Sequence, residues 1–382
     1  MSIDLRGLIG AAALAFAAAP APAQPMAQVV QSFDVQIPFA PSLVEIGRQR
    51  QLVYELHLTN FATRPIQLDR LEILAAEGNP LATFEGEALA RLVGRVGPAA
   101  AEARLVAPGE RVTLYVGLPL STPPPRAVRH GLSFSRVDGA TSSPGRLSLG
   151  PIALSSTPLP VLGPPLRGGI WAAVYEPTME RGHRRVIYAT EGVARIPGRF
   201  AIDFIRIDEQ GRSSRGDGAR VGDHLGYGAE VLAVADGTVV AVRDDFSEPV
   251  AIADAPRVSI GDATGNYVAL DIGGGHYAFY EHLKPGVRVR LGERVRRGQV
   301  IGQLGFTGQA SGPHLHFHLA DANSPLNAEG MPYAMTGFEP LGRYDSIAAF
   351  GRGGPWTPLP PFSGRPRPSM PSPNMVVRFA DR

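Results

Sequence analysis

The stretch Gly312-Pro313-His314-Leu315-His316-Phe317-His318-Leu319 sets three histidines in alternation with three apolar residues. A strand sends successive side chains to opposite faces, so this period of two puts His314, His316 and His318 on one face and Leu315, Phe317 and Leu319 on the other. One face then belongs to a core. The other is poor core material, but adjacent imidazoles are good material for binding a metal or moving a proton. Only nine histidines occur in the chain, so a third of them sit on this one strand.

The rest of the composition favours β-structure. There are 45 glycines and 36 prolines, which implies frequent turns and short elements rather than long helices. No cysteine occurs, so disulfides, thiolate metal sites and thiol nucleophiles are excluded, and any transition metal must be held by histidines and carboxylates. The formal net charge of +2 gives no argument for a nucleic-acid partner. Lys284 is the single lysine, which leaves 36 of the 37 basic residues as arginine.

The first residues read as a secretory signal. Arg6 lies in a short n-region, Gly7 to Ala19 form an apolar run too short to span a bilayer, and Ala21-Pro22-Ala23 offers small residues for cleavage. Residues 1–23 are therefore expected to be a signal peptide. The mature chain begins at Gln24 and is exported, to the periplasm or beyond the cell. No later apolar run has the length of a membrane span.

Residues 30–160 read as short strands between turns, among them Gln51 to Asn60, Ile66 to Leu74 and Arg111 to Leu118. Such spacing predicts an antiparallel β-sandwich, with a short helix near Glu87 to Val93. Its two lone histidines, His57 and His130, read as structural. Prolines and glycines at 158–169 predict a linker over 161–170. A second domain of antiparallel β-sheet follows over 171–350, and 351–382 reads as a loosely attached tail rich in proline and arginine. Within the second domain, Asp236-Gly237 predicts a tight hairpin between 230–235 and 238–242, and Gly273-Gly274-Gly275 another between 266–270 and 276–280. Short strands are also expected at 287–289 and 300–302.

Several blocks of this second domain resemble one family. Gly305-Phe306-Thr307-Gly308 followed by Gly312-Pro313-His314-Leu315-His316-Phe317 is similar to the signature of the lysostaphin/LytM-type zinc endopeptidases. Val234 to Val240, Tyr280-Glu281-His282-Leu283 and Gly292 to Gly302 match upstream blocks in the same order, so the resemblance covers roughly 183–325. It implies hydrolysis of peptide bonds in bacterial peptidoglycan with one zinc ion that polarises the scissile carbonyl and acidifies a bound water. It further implies Asp203 and His316 as metal ligands and His282 and His314 as catalytic imidazoles, with His318 a bystander.

The resemblance breaks at one position. The family pattern has a histidine four residues before the ligating aspartate, and here that residue is Arg199. Arginine stays protonated and cannot ligate zinc. Asp203 and His316 alone make two protein ligands, whereas catalytic zinc usually has three. His183, His224 and His318 are the histidines available. Neither His183 nor His224 has ligand spacing to Asp203, so a surface or hydrogen-bonding imidazole is the simpler reading of both. His318 lies about 6 to 7 Å beyond His316 along the strand. His276 reads as structural.

Two functions follow from different classes. One is an exported zinc metalloendopeptidase acting on peptidoglycan. The other is a catalytically degenerate LytM-like domain that binds cell wall or regulates a partner amidase, with the sandwich docking a divisome or cell-wall hydrolase partner. A biotinyl or lipoyl carrier is set aside, because no lysine occupies the Asp236-Gly237 turn.

Overall fold

The computed structural model describes residues 31–97, 101–120, 123–360 and 367–381. The expected signal peptide, 1–23, lies outside the described residues.

The mainly β, antiparallel architecture forms in two parts. The first is a sandwich. One sheet runs in the order Phe33–Gln36, Gln49–Asn60, Arg111–Pro119 and Val93–Arg95, with Ser42–Ile46 also on Gln49–Asn60. The other runs Thr141–Ala153, Ala127–Asp138, Ile66–Ala75 and Pro80–Glu85, with Leu105–Val106 also on Ile66–Ala75. Alternate residues of Ile66–Ala75 point inward, and Ile66, Leu68, Leu71 and Ile73 are fully buried with Leu56, Leu58, Leu114 and Val116 of the facing sheet. The helix Gly86–Leu92 closes one edge through Leu89.

In the second part, among the described residues, a ten-stranded sheet runs in the order Arg294–Val295, Gly237–Arg243, Tyr267–Asp271, Tyr277–Glu281, Leu315–Ala320, Ile202–Ile207, Ile170–Val174, Met375–Phe379, Phe338–Arg343 and Thr357–Pro358. The histidine strand Leu315–Ala320 is central. Its Leu315, Phe317 and Leu319 are fully buried with Ile202, Phe204, Leu270 and Tyr280. Each such side chain contributes about 1.5–3 kcal/mol on burial. A one-residue slip would drive three histidines into that core, so the hydrophobic face fixes the register.

Four local expectations are corrected. The segment 161–170 is not a free linker: Val161–Leu162 pairs with Ala334–Met335, and Leu162 and Leu166 are fully buried, so apolar side chains between the prolines anchor it. Within 351–382, Met375–Phe379 pairs with both Ile170–Val174 and Phe338–Arg343, burying Val376, Val377 and Phe379. A five-residue apolar strand was hidden there behind proline-rich composition. Asp236-Gly237 closes no hairpin, because Glu230–Leu232 pairs with Val300–Gln303 while Gly237–Arg243 pairs with Tyr267–Asp271. Residues 287–289 form no strand; Arg294–Val295 takes that edge. The hairpin around Gly273-Gly274-Gly275 does form, with all three glycines at positive φ, where a Cβ is disfavoured. No helix among the described residues is long and apolar enough to cross a membrane.

Candidate active site

Strand register brings the site together. Leu315–Ala320 lies between Ile202–Ile207 and Tyr277–Glu281, and His316 stands opposite Asp203 on one side and Glu281 on the other. Directly opposed side chains share a face and start about 4.5–5.5 Å apart at Cβ, close enough for a carboxylate and an imidazole to meet. They do: His316 Nδ1 is 2.9 Å from Asp203 Oδ1. His314, two residues earlier on the same face, has Nε2 at 3.4 Å from that oxygen.

The fourth group is His183. It opens the 3-10 turn His183–Arg185, twenty residues before Asp203, and its Nε2 lies 3.1 Å from Asp203 Oδ2. Its ring meets that of His316 edge to face with centroids 4.8 Å apart. Of the two readings, a surface or a hydrogen-bonding imidazole, His183 is the second, and its partner is Asp203. The turn reaches the site because it packs on Gly198: a Cβ there would stand 2.6 Å from the His183 carbonyl oxygen and 3.1 Å from its Cα. A hydrogen bond with the Ala201 backbone orients the ring. Spacing along the chain held no signal for this contact, which depends on two turns meeting.

His282 follows the strand Tyr277–Glu281 with φ at 62°, in the left-handed region that a β-carbon disfavours. Strain of this kind persists only where surrounding structure holds it, and it clusters at functional sites. Here its amide donates to the Thr264 carbonyl at 3.0 Å and its Nδ1 donates to the Thr307 carbonyl at 2.8 Å. Thr307 is itself held, accepting from the Asn266 amide and donating to the Leu283 carbonyl through Oγ1. His314 Nδ1 likewise donates to the Gly312 carbonyl at 2.8 Å. A carbonyl can only accept, so both rings carry the proton on Nδ1 and turn Nε2 toward the site. The two rings lie 4.7 Å apart.

Burial and charge divide these groups. Burial alone would raise the Asp203 carboxyl, but the facing His183 and His314 hold it well below the usual range. Burial lowers His183 and His314, yet the Asp203 charge outweighs it and raises both. Burial, then the neighbouring His314 and His316, push His282 well below its ordinary value. His316 is also lowered, chiefly by burial.

The remaining histidines make other contacts. His224 bonds the Gly218 carbonyl from a loop, and His276 sits against the Gly273 carbonyl of its own turn. His57 contacts Arg111, and His130 bonds Tyr54 Oη. His318 stacks on Phe279, lies 3.6 Å from Glu281 and meets the His316 ring edge to face at 5.4 Å, so Glu281, His316 and His318 are a third group that could hold a metal. Arg199 is absent from the cluster. Its fully buried guanidinium bonds Glu55 and Glu329 and packs over the Phe39 ring.

His183, Asp203 and His316 place three ligand atoms close together, as His282, His314 and His316 also do. The first set suits zinc. Ligands about 2.0–2.1 Å from a tetrahedral ion sit roughly 3.3 Å from one another, close to the 2.9 and 3.1 Å separations here. A cleft of about 630 Å³ opens onto these residues, with Tyr188 and Gln309 on its wall.

Comparisons with known proteins agree on this region. Residues 222–328 match Peptidase family M23. The chain is 44% identical over 64 residues to the peptidoglycan DD-endopeptidase ShyA of Vibrio cholerae, covering 17% of this chain and 15% of that protein. It is 35% identical over 94 residues to ShyB, a peptidoglycan DD-endopeptidase of the same organism, covering 22% and 21%. The catalytic domain of lysostaphin from Staphylococcus simulans aligns at 20% identity with a TM-score of 0.24, over 43% of this chain and 88% of that one. The chain thus spans about a fifth or less of the length of these two curated relatives. His183 and Asp203 precede the matched span, whereas His282, His314 and His316 fall inside it. Residues 222–328, the span that holds the histidine strand, are a Peptidase family M23 domain.

Proposed function

We propose that the protein is an exported, zinc-dependent endopeptidase that hydrolyses peptide bonds of bacterial peptidoglycan. The observation that carries this reading is the third donor, His183, beside Asp203 and His316. Two nitrogens and a carboxylate leave a fourth position open, the arrangement of catalytic rather than structural zinc. The relatives named as peptidoglycan DD-endopeptidases support the substrate class. The degenerate alternative presupposes a missing donor, and the place of His183 beside Asp203 favours a three-donor site over it.

On this reading His183, Asp203 and His316 hold the ion, which supplies Lewis acidity toward the scissile carbonyl and toward water. His282 presents an unprotonated Nε2, because Nδ1–H is committed to Thr307. It accepts the proton of the attacking water as the C–O bond forms, and returns it to the leaving nitrogen as the C–N bond breaks. His314, fixed by Gly312, is placed to donate from Nε2 to the developing oxyanion when protonated.

The test uses the full chain with purified sacculi and cross-linked muropeptides. Stoichiometric zinc together with new amino termini is the expected result; a protein that binds no zinc and opens no cross-link overturns the proposal. His282→Ala should retain zinc but lose about 10²- to 10⁴-fold in rate, the usual worth of a positioned acid–base group. Gly198→Ala should weaken zinc binding by about tenfold or more, as loss of ligand positioning does. Its Cβ meets backbone atoms of His183, and the turn must shift to relieve the contact. A zinc titration of the purified variant checks this.

A further inference from the structure

Glu55 lies in the sandwich strand Gln49–Asn60 and is 1% exposed. Its two carboxylate oxygens divide between two segments of the peptidase part. Oε1 accepts from Arg184 at 2.9 Å, and Oε2 accepts from Arg199 at 2.8 Å. Arg184 is the residue after His183, and Arg199 the residue after Gly198, so one buried carboxylate ties together the two turns whose contact brings His183 to Asp203.

The sandwich holds the same turn at further points. Arg184 donates to the carbonyls of Tyr54 and Val116 at 3.0 and 2.7 Å. Arg185 donates to the carbonyls of Val93 and Arg91 at 3.1 and 2.7 Å, and lies over the Tyr115 ring. The turn is only three residues long and makes no side-chain cap of its own, so its place is fixed from outside.

We propose that the N-terminal sandwich is a positioning element for the metal site: through Glu55 and the carbonyls that seat Arg184 and Arg185, it holds His183 against Asp203. This rests on the reading of His183 as a ligand. A long guanidinium that bonds a carboxylate and two carbonyls at once fixes both position and orientation, which a point charge would not. It also gives Arg199 a physical reason: the position makes the second arm of the same clamp.

The experiment measures Zn²⁺ affinity of the full chain by competition with a chromophoric chelator, and the visible spectrum of the Co²⁺ form. Wild type is compared with His183→Ala, Arg184→Met and Arg185→Met. Phe134→Leu serves as a control that loosens the sandwich core without touching the seat. The expected result is a loss of at least about tenfold in Arg184→Met, a smaller loss in Arg185→Met, and an altered Co²⁺ spectrum in both, as when the support of a ligand is removed. Phe134→Leu should keep wild-type affinity at a comparable loss of melting temperature. If Arg184→Met fails to fold, Arg185→Met decides. A folded arginine variant with wild-type affinity and spectrum, while His183→Ala loses zinc, overturns the positioning role and leaves the metal reading standing. Wild-type affinity in His183→Ala overturns both.

Discussion

Replacing His183 with alanine is expected to lower zinc affinity by at least about 100-fold and to bring peptide-bond hydrolysis to background. Changing a residue that merely supports a metal-bound histidine typically costs 10- to 100-fold, so loss of a ligand itself sits at or above the top of that range. The variant keeps Asp203 and His316, a two-ligand set that catalytic zinc does not normally use. Stability should change little, because the His183 side chain is partly exposed at the cleft. His224→Ala is the matched comparison, since His224 is another histidine available as a third ligand and its ring bonds the Gly218 carbonyl instead. Zinc titration of both variants checks the assignment: equal affinities, or a larger loss at His224, would remove His183 from the site.

The second large effect lies about 130 residues earlier in sequence. Glu55→Gln should destabilise the fold by roughly 3–5 kcal/mol, the cost of breaking a buried ion pair by removing one partner. Two buried guanidiniums lose their shared counter-charge, and Arg199 keeps only Glu329. Burial raises the Glu55 carboxyl, but Arg199 and Arg184 together lower it below its ordinary value. A carboxylate depressed in the folded state contributes stability that is full above its unfolded value, about 4.3, and is lost as pH falls through the folded value. Wild type should therefore lose stability on acidification below about pH 4 in part through Glu55, and Glu55→Gln should lack that component. Urea unfolding of both proteins between pH 3 and 7 checks it. Parallel curves displaced by a constant amount would show that Glu55 does not titrate in this way.

The histidine strand was readable because its signal is local. A period of two assigns faces wherever the segment folds as a strand, and Leu315, Phe317 and Leu319 occupy the core as that pattern requires. The hairpin at Gly273-Gly274-Gly275 was readable for a similar reason, since glycine runs tolerate the positive φ that a tight turn needs. Asp236-Gly237 misled because a turn dipeptide does not choose its partner strand. Glu230–Leu232 found a better one in Val300–Gln303. The terminal strand Met375–Phe379 escaped notice because composition averaged over 351–382 conceals five apolar-rich residues, one of whose partner strands lies about 200 positions earlier.

By itself, the sequence determined which residue types were available and which strand faces they shared: Asp203, His282, His314 and His316, and no thiol to compete with them. Tertiary structure decided that His183 meets Asp203 and that Arg199 pairs with Glu55 and Glu329. Both depend on contacts that cross the chain, the turn at His183 resting on Gly198 and the carboxylate of Glu55 reaching Arg184 and Arg199. Local periodicity cannot encode such contacts, because packing between separate elements creates them. Arg199, at the position where the resemblance expects a ligand, left the third donor open in the sequence, whereas in the folded chain its guanidinium pairs with Glu55 beside the turn that brings His183 to Asp203.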